Sequence, residues 1–119
     1  MKKNQYLHAL RFANGTAAFG EDWGGAPVFG DPKAFVVNRY ESQDKQYQVG
    51  TWESSVGTWA LDYNDWEYCF VLEGRFYIQP EGGERVEFSA GDTFVLEPGF
   101  KGTLEVVERT RKWYVFHNR

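Results

Sequence analysis

The sequence predicts an all-β domain, a sandwich or closed barrel, on three observations. Short segments rich in Val, Tyr, Phe, Trp and Thr follow one another from position 35 onward, at a spacing of roughly eight to twelve residues, and these residue types suit a pleated, half-buried surface. Turn-forming clusters separate them: Glu73-Gly74, Pro80-Glu81-Gly82-Gly83, Ala90-Gly91-Asp92 and Pro98-Gly99, each with the residues that reverse a chain. No stretch carries a sustained helical period in competition.

The expected strands are Phe35–Tyr40, Tyr47–Ser54, Thr58–Tyr63, Glu67–Leu72, Arg75–Gln79, Arg85–Phe88, Thr93–Leu96, Thr103–Val107 and Lys112–His117. Alternation is plainest at Phe76/Ile78 and Val86/Phe88, flanked by polar Arg75, Gln79, Arg85 and Glu87, the pattern of a strand with one buried face. The segment 1–30 differs. Gly15, Gly20, Gly24, Gly25, Gly30 and Pro27 interrupt it too often for a helix or a long strand, yet Phe12, Phe19, Trp23, Val28 and Phe29 are scattered through it. An irregular arm over residues 1–30, packed on a domain of residues 31–119, is the organisation expected.

Composition narrows the function classes. The 119 residues leave room for one domain. Ten Phe, seven Tyr and five Trp suit sheets and pocket walls. A formal net charge of −4, with no more than two adjacent basic residues, disfavours a nucleic-acid partner. One cysteine, Cys69, excludes an internal disulfide. The start of the chain lacks the apolar run of a secretory signal, and no stretch reaches the ~20 apolar residues of a membrane span. A cytoplasmic protein without a membrane partner is expected, and Asn14-Gly15-Thr16 reads as a coincidental match to the glycosylation pattern.

Gly50-Thr51-Trp52 and Gly57-Thr58-Trp59 are echoes of each other. If Ser55-Val56 tips a hairpin, Trp52 and Trp59 face each other across two strands, as core closure or as a pocket wall.

From Gly50 to His117 the chain resembles the small single-domain cupins of the cupin-3 family, which includes ureidoglycine aminohydrolase-like proteins. The residues that carry the resemblance are Gly50-Thr51-Trp52-Glu53, Glu67 through Gly74, Gly82-Gly83-Glu84, Gly91-Asp92-Thr93-Phe94-Val95-Leu96, Gly99-Phe100-Lys101-Gly102-Thr103 and Arg111-Lys112-Trp113-Tyr114. The resemblance implies a double-stranded β-helix, or jelly-roll barrel, in which Glu73-Gly74 and Gly91-Asp92 turn the chain between strands. It also implies a homodimer, since small cupins commonly pair through sheets and exchanged arms.

Metal-dependent cupins place two histidines one residue apart ahead of a glutamate, and a further histidine after a glycine of the second motif. Here Glu67 and Gly74 keep their interval, but the first two histidine places fall on Leu61 and Tyr63, or on neighbours one residue away, and the third falls on Gly102. The two histidines, His8 and His117, lie near the chain ends and match neither motif. Glu67 alone cannot supply the three or four donors a divalent ion needs, so neither a metal nor another cofactor is expected.

Strand alternation puts Glu67, Cys69 and Val71 on one face, and Leu61 and Tyr63 on one face of the preceding strand. If these faces point inward, Trp52, Trp59, Tyr63, Glu67 and Cys69 would line a site for a small polar metabolite. A carboxylate there needs a partner, with Arg75, Arg85 and Lys112 as candidates, or a ligand. Two other readings stand beside the binder. One is a metal-independent isomerase- or epimerase-like enzyme using Glu67 and Tyr63, with Asp62 and Asp65 behind them. The other is a divergent metal-dependent enzyme drawing on Asp62, Asp65, Glu67 or Cys69. The group Arg109-Thr110-Arg111-Lys112 reads either as an anion contact at the rim or as a charged turn.

Overall fold

The computed structural model describes residues 4–11, 21–23 and 25–118. Among them are nine strands: β1 Glu21–Asp22, β2 Ala26–Phe29, β3 Ala34–Glu41, β4 Tyr47–Ser54, β5 Gly57–Asp62, β6 Trp66–Pro80, β7 Val86–Ser89, β8 Thr93–Leu96 and β9 Lys101–His117. All pairings are antiparallel. The sheet curls on itself around one core, giving the jelly-roll barrel.

A long ribbon of β6 and β9 organises the barrel. The C-terminal half of β9 pairs with β4, which continues to β3 and β1, while its N-terminal half pairs with β5, which continues to β2. Along the other side of the ribbon, β8 joins the first half of β6 and β7 the second. Two half-sheets thus share a spine. Buried Trp52, Cys69, Val71 and Tyr114 from one half meet Trp59, Phe76, Leu104 and Val106 from the other in a single core.

The ribbon corrects three expectations. Glu67–Leu72 and Arg75–Gln79 are one strand, β6, and Thr103–Val107 and Lys112–His117 are one strand, β9. Glu73-Gly74 therefore does not reverse the chain. Its glycine has φ +96°, and the β6–β9 register slips between Val71 and Phe76. The turn signal belongs to a bulge, which uses the same left-handed glycine. The bulge switches the buried set of β6 from odd positions (Glu67, Cys69, Val71) to even ones (Phe76, Ile78), while β9 buries even positions on both sides of the bulge, Leu104 and Val106 before it and Thr110, Lys112 and Tyr114 after it, with Glu108 exposed between them. Likewise Arg109 to Lys112 is strand rather than turn, and Thr110 and Lys112 are buried.

The third correction concerns the tryptophans. Residues 54–57 form a corner between half-sheets, so β4 and β5 do not pair. Trp52 lies opposite Lys112 on β9, and Trp59 opposite Leu104. The rings meet through Trp23, which packs edge-on against Trp52 at 5.4 Å and against Trp59 at 4.9 Å between centroids. Trp23 belongs to the stretch expected as an arm. Residues 12–20 of that stretch, with Phe12, Phe19, Gly15 and Gly20, lie outside the described residues, as does Gly24.

The bulge gives a stability test. A Cβ at Gly74 would overlap the Arg109 carbonyl oxygen and stand 2.6 Å from Thr110 Cα. Gly82 also has positive φ, at +72°, but a Cβ there would meet open space. Gly82→Ala is expected to lose only the conformational term of about 1 kcal/mol. Gly74→Ala adds backbone overlap and is expected to lose about 3 kcal/mol or more, read by urea unfolding. Equal losses would remove the steric role of the bulge.

Candidate functional site

Between the half-sheets lies a cavity of about 260 Å³. Its walls are mainly rings and aliphatic side chains, among them Trp23, Trp52, Tyr114, Phe116, Leu61 and Leu104. Three polar side chains form a chain of contacts on one wall. The Tyr63 hydroxyl donates to Glu67 Oε1 at 2.8 Å. Glu67 Oε2 faces Lys112 Nζ at 3.7 Å. Lys112 Nζ also donates to Cys69 Sγ at 3.0 Å. Lys112 further sits over the Trp52 ring, 5.0 Å from its centroid, a favourable place for a cation.

Local structure explains each placement. Alternation on β6 turns Glu67 and Cys69 inward, and alternation on β9 turns Lys112 and Tyr114 inward beside them. Tyr114 lies across from Gly50, where a Cβ would overlap the tyrosine hydroxyl; the missing side chain makes room for the ring. Tyr63 is held from outside the strands. Its N–H donates to Phe100 O at 2.9 Å, and its carbonyl accepts from Gly99 N–H at 2.7 Å. The second-motif turn thus anchors the tyrosine of the first.

Burial shapes the protonation of these groups. Glu67 and Lys112 are 2% and 4% exposed, so each charge depends on the other. Burial alone would lower the Lys112 ammonium, but Cys69 and Glu67 beside it outweigh burial and hold its pKa above the ordinary value. Burial, reinforced by the Glu67 charge, pushes the Tyr63 hydroxyl far above its usual range. The Cys69 thiol is pushed up to about 12, chiefly by burial, with Lys112 pulling partly the other way.

The expected site residues divide on this geometry. Trp52, Tyr63 and Glu67 line the cavity. Trp59 is buried behind Trp23, with Nε1 donating to Ser54 Oγ at 2.9 Å. Cys69 is fully buried beneath Lys112. Asp62 is exposed, on a separate open groove with Gln79 and Gly82, and Asp65 lies in the bend before β6. His8 packs on Tyr40 and His117 on Tyr47, both away from the cavity. Of the three basic candidates for Glu67, Lys112 is the one in place. Arg75 reaches Glu87 and Glu108, and Arg85 reaches Glu105. Lys112 as a wall residue, with Tyr114 and Phe116, went unread. The usable signal is Leu104, Val106, Lys112, Tyr114 and Phe116 recurring at even positions, legible once β9 is one strand.

The metal of the resembled family does not fit these residues. Leu61 brings a hydrocarbon to the cavity, and Gly102 lies on the outer groove against Gln79. The inward residue of that strand is Leu104. Glu67 already accepts from Tyr63 and faces an ammonium, and a fixed cation repels a second one. Among the described residues no three His, Cys, Asp or Glu side chains converge to hold an ion.

Two predictions follow from the buried pair. Lys112→Met leaves Glu67 buried without its cation and is expected to lose about 3 kcal/mol, much of which Glu67→Gln in the same chain restores; simple additivity in a double-mutant cycle would deny the coupling. The thiol gives a pH dependence. Cys69 keeps its proton in the folded chain where the unfolded chain, with the ordinary value of 9.0, loses it. Its contribution is complete below about pH 9 and lost as pH rises toward about 12. Unfolding measured across that range should show a smaller alkaline loss in Cys69→Ala than in the unmodified chain.

Comparisons with known proteins agree with the geometry of the fold. The chain has 20% identity to the EutQ protein of Clostridium difficile, with a TM-score of 0.65 over 74% of this chain and 70% of that one. It is 30% identical to a DUF861 family protein from Thermotoga maritima, with a TM-score of 0.52 over 54% of this chain and 73% of that one. Ectoine synthase from P. lautus matches at 19% identity and a TM-score of 0.62, covering 81% and 67% of the two chains. No curated protein matches the chain. Residues 41–114, well over half of the chain, match the EutQ-like cupin domain, and the chain belongs to that family of cupins.

Proposed function

We propose that this cupin binds a small polar metabolite in its barrel cavity and does so without a metal ion. The observation that carries the reading is the Tyr63–Glu67–Lys112 chain on the cavity wall. An ion pair at 4% exposure or less is costly to bury, and well-packed apolar residues would serve the fold as well or better. Its presence beside open volume rather than in packed core favours recognition. Aromatic walls with a few converging polar groups are the usual form of a ligand site, and about 260 Å³ is near the lower end of such sites.

The acid–base enzyme is the weaker reading. Of the nominated pair, Tyr63 holds its proton well beyond neutral pH, chiefly through burial, and Glu67 is already engaged by the Tyr63 hydroxyl and the Lys112 ammonium; Cys69, likewise protonated, offers no nucleophile. A cytoplasmic homodimer completes the proposal. Its support is the outer face of the β8–β6–β9 half-sheet, where Val95 and Phe70 are 46% and 39% exposed beside partly exposed Tyr68, Val115 and Trp113. Such a continuous apolar surface favours pairing of copies.

A screen of metabolites by thermal unfolding tests the binding reading. A ligand present at 100 times its Kd is expected to stabilise the chain by about 2.7 kcal/mol, a shift of several degrees. Glu67→Gln, which keeps a carbonyl for Tyr63 but takes the counter-charge from Lys112, should be less stable on its own and should lose most of the ligand-induced shift. An undiminished shift in the folded variant would remove Glu67 from recognition. Phe70→Glu is expected to yield monomers by light scattering; an unmodified chain that is monomeric at high concentration would end the dimer proposal.

A further inference from the structure

We infer that the cavity is shaped for a small molecule of zero net charge, uncharged or zwitterionic, with an acceptor oxygen for Lys112. The inference rests on the ligand-binding reading and adds the chemical class.

Charge is the first ground. Among the described residues, Glu67 and Lys112 are the charged side chains that line the cavity, they are of opposite sign, and they stand 3.7 Å apart. At the distance of a ligand's far end the pair acts as a dipole, with no surplus of either sign. A net charge brought inside would lose its water and find no counter-charge, a penalty of several kcal/mol per ion. A neutral group with both a donor and an acceptor, or the two ends of a zwitterion, matches the dipole atom for atom.

Donor arithmetic is the second ground. An ammonium has three N–H groups. Cys69 Sγ takes one at 3.0 Å, while Glu67, at 3.7 Å, balances the charge from beyond hydrogen-bond distance. The ammonium, which lines the cavity, thus has donor capacity that an acceptor oxygen of a ligand would use better than the Trp52 ring it now sits over. Glu67 likewise has lone pairs beyond the one that accepts from Tyr63, open to a donor from the ligand. Size is the third ground. A cavity of about 260 Å³ suits a small molecule rather than a chain segment. The Trp52, Tyr114 and Phe116 rings make the rest of the surface suited to a flat or apolar body.

Three probes of nearly one shape and differing charge test the rule: benzamide, benzoate and benzylammonium. Binding is followed by chemical-shift titration of the Trp52 indole and the Tyr114 and Phe116 rings. Benzamide is expected to bind about tenfold more tightly than either ion. In Glu67→Gln the wall carries a net positive charge and benzoate should overtake benzamide; in Lys112→Met it carries a net negative one and benzylammonium should do so. If Lys112→Met does not fold, Glu67→Gln reads the same rule. Benzoate or benzylammonium binding the unmodified chain as tightly as benzamide overturns the neutrality rule and leaves the ligand-binding reading standing. Cavity resonances that no probe moves, up to its solubility limit, overturn both.

Discussion

The carboxylate of Glu67 and the ammonium of Lys112 are buried against each other, and the rest of the site depends on that contact. Neither charge is tolerable alone in a wall of rings. Together they position Tyr63, whose hydroxyl completes the coordination of Glu67, and Cys69, whose sulfur accepts from Lys112. In metal-dependent cupins a divalent ion would supply positive charge beside the corresponding glutamate. Here the positive charge belongs to a side chain. The cavity wall thus carries a buried charge pair where a lone carboxylate would otherwise stand.

The pair exists because β6 and β9 run side by side across both halves of the barrel. Glu67 enters from one strand and Lys112 from the other, and the bulge at Gly74 lets β6 change which side chains it buries without breaking the ribbon. Without the switch, the odd positions of β6 after the bulge would turn Arg75 and Tyr77 toward the core in place of Phe76 and Ile78. Those residues instead form an outer cluster, with Tyr77 donating to Glu87 at 2.8 Å and Arg85 over its ring at 3.9 Å. One left-handed glycine thus serves the site and the second half of the core together.

Much of this was legible in the sequence. β-branched and aromatic alternation gave the strand class, and the ends of β4 and β8 fall where turn residues place them. Strand alternation put Glu67 and Cys69 on one face and left Lys112 among the candidate partners, while the resemblance to cupins turned that face inward and located the places where histidines are missing. What was hidden has a common cause. Gly74 carries the same preference for positive φ in a turn and in a bulge, and sequence does not say which; reading it as a turn cut β6 in two. The same cut in β9 concealed the even-numbered line of Leu104, Val106, Thr110, Lys112, Tyr114 and Phe116, broken only at exposed Glu108, and made a buried lysine look like part of a charged loop. The tryptophan echo failed for another reason. Local spacing suggested a hairpin, but β4 and β5 each pair with a different half of β9, a long-range arrangement that no local signal encodes.

The charge of Lys112 inside the cavity is the most direct point of attack. Nitrogen-15 detection of its side chain, assigned by comparison with Lys112→Met, reports whether Nζ is an ammonium and where it titrates. Expected is an ammonium signal that persists above the ordinary lysine value of 10.5 and moves to lower pH in Glu67→Gln. A Lys112 that is already a neutral amine at pH 7, or one whose titration ignores Glu67, would contradict the paired-charge site.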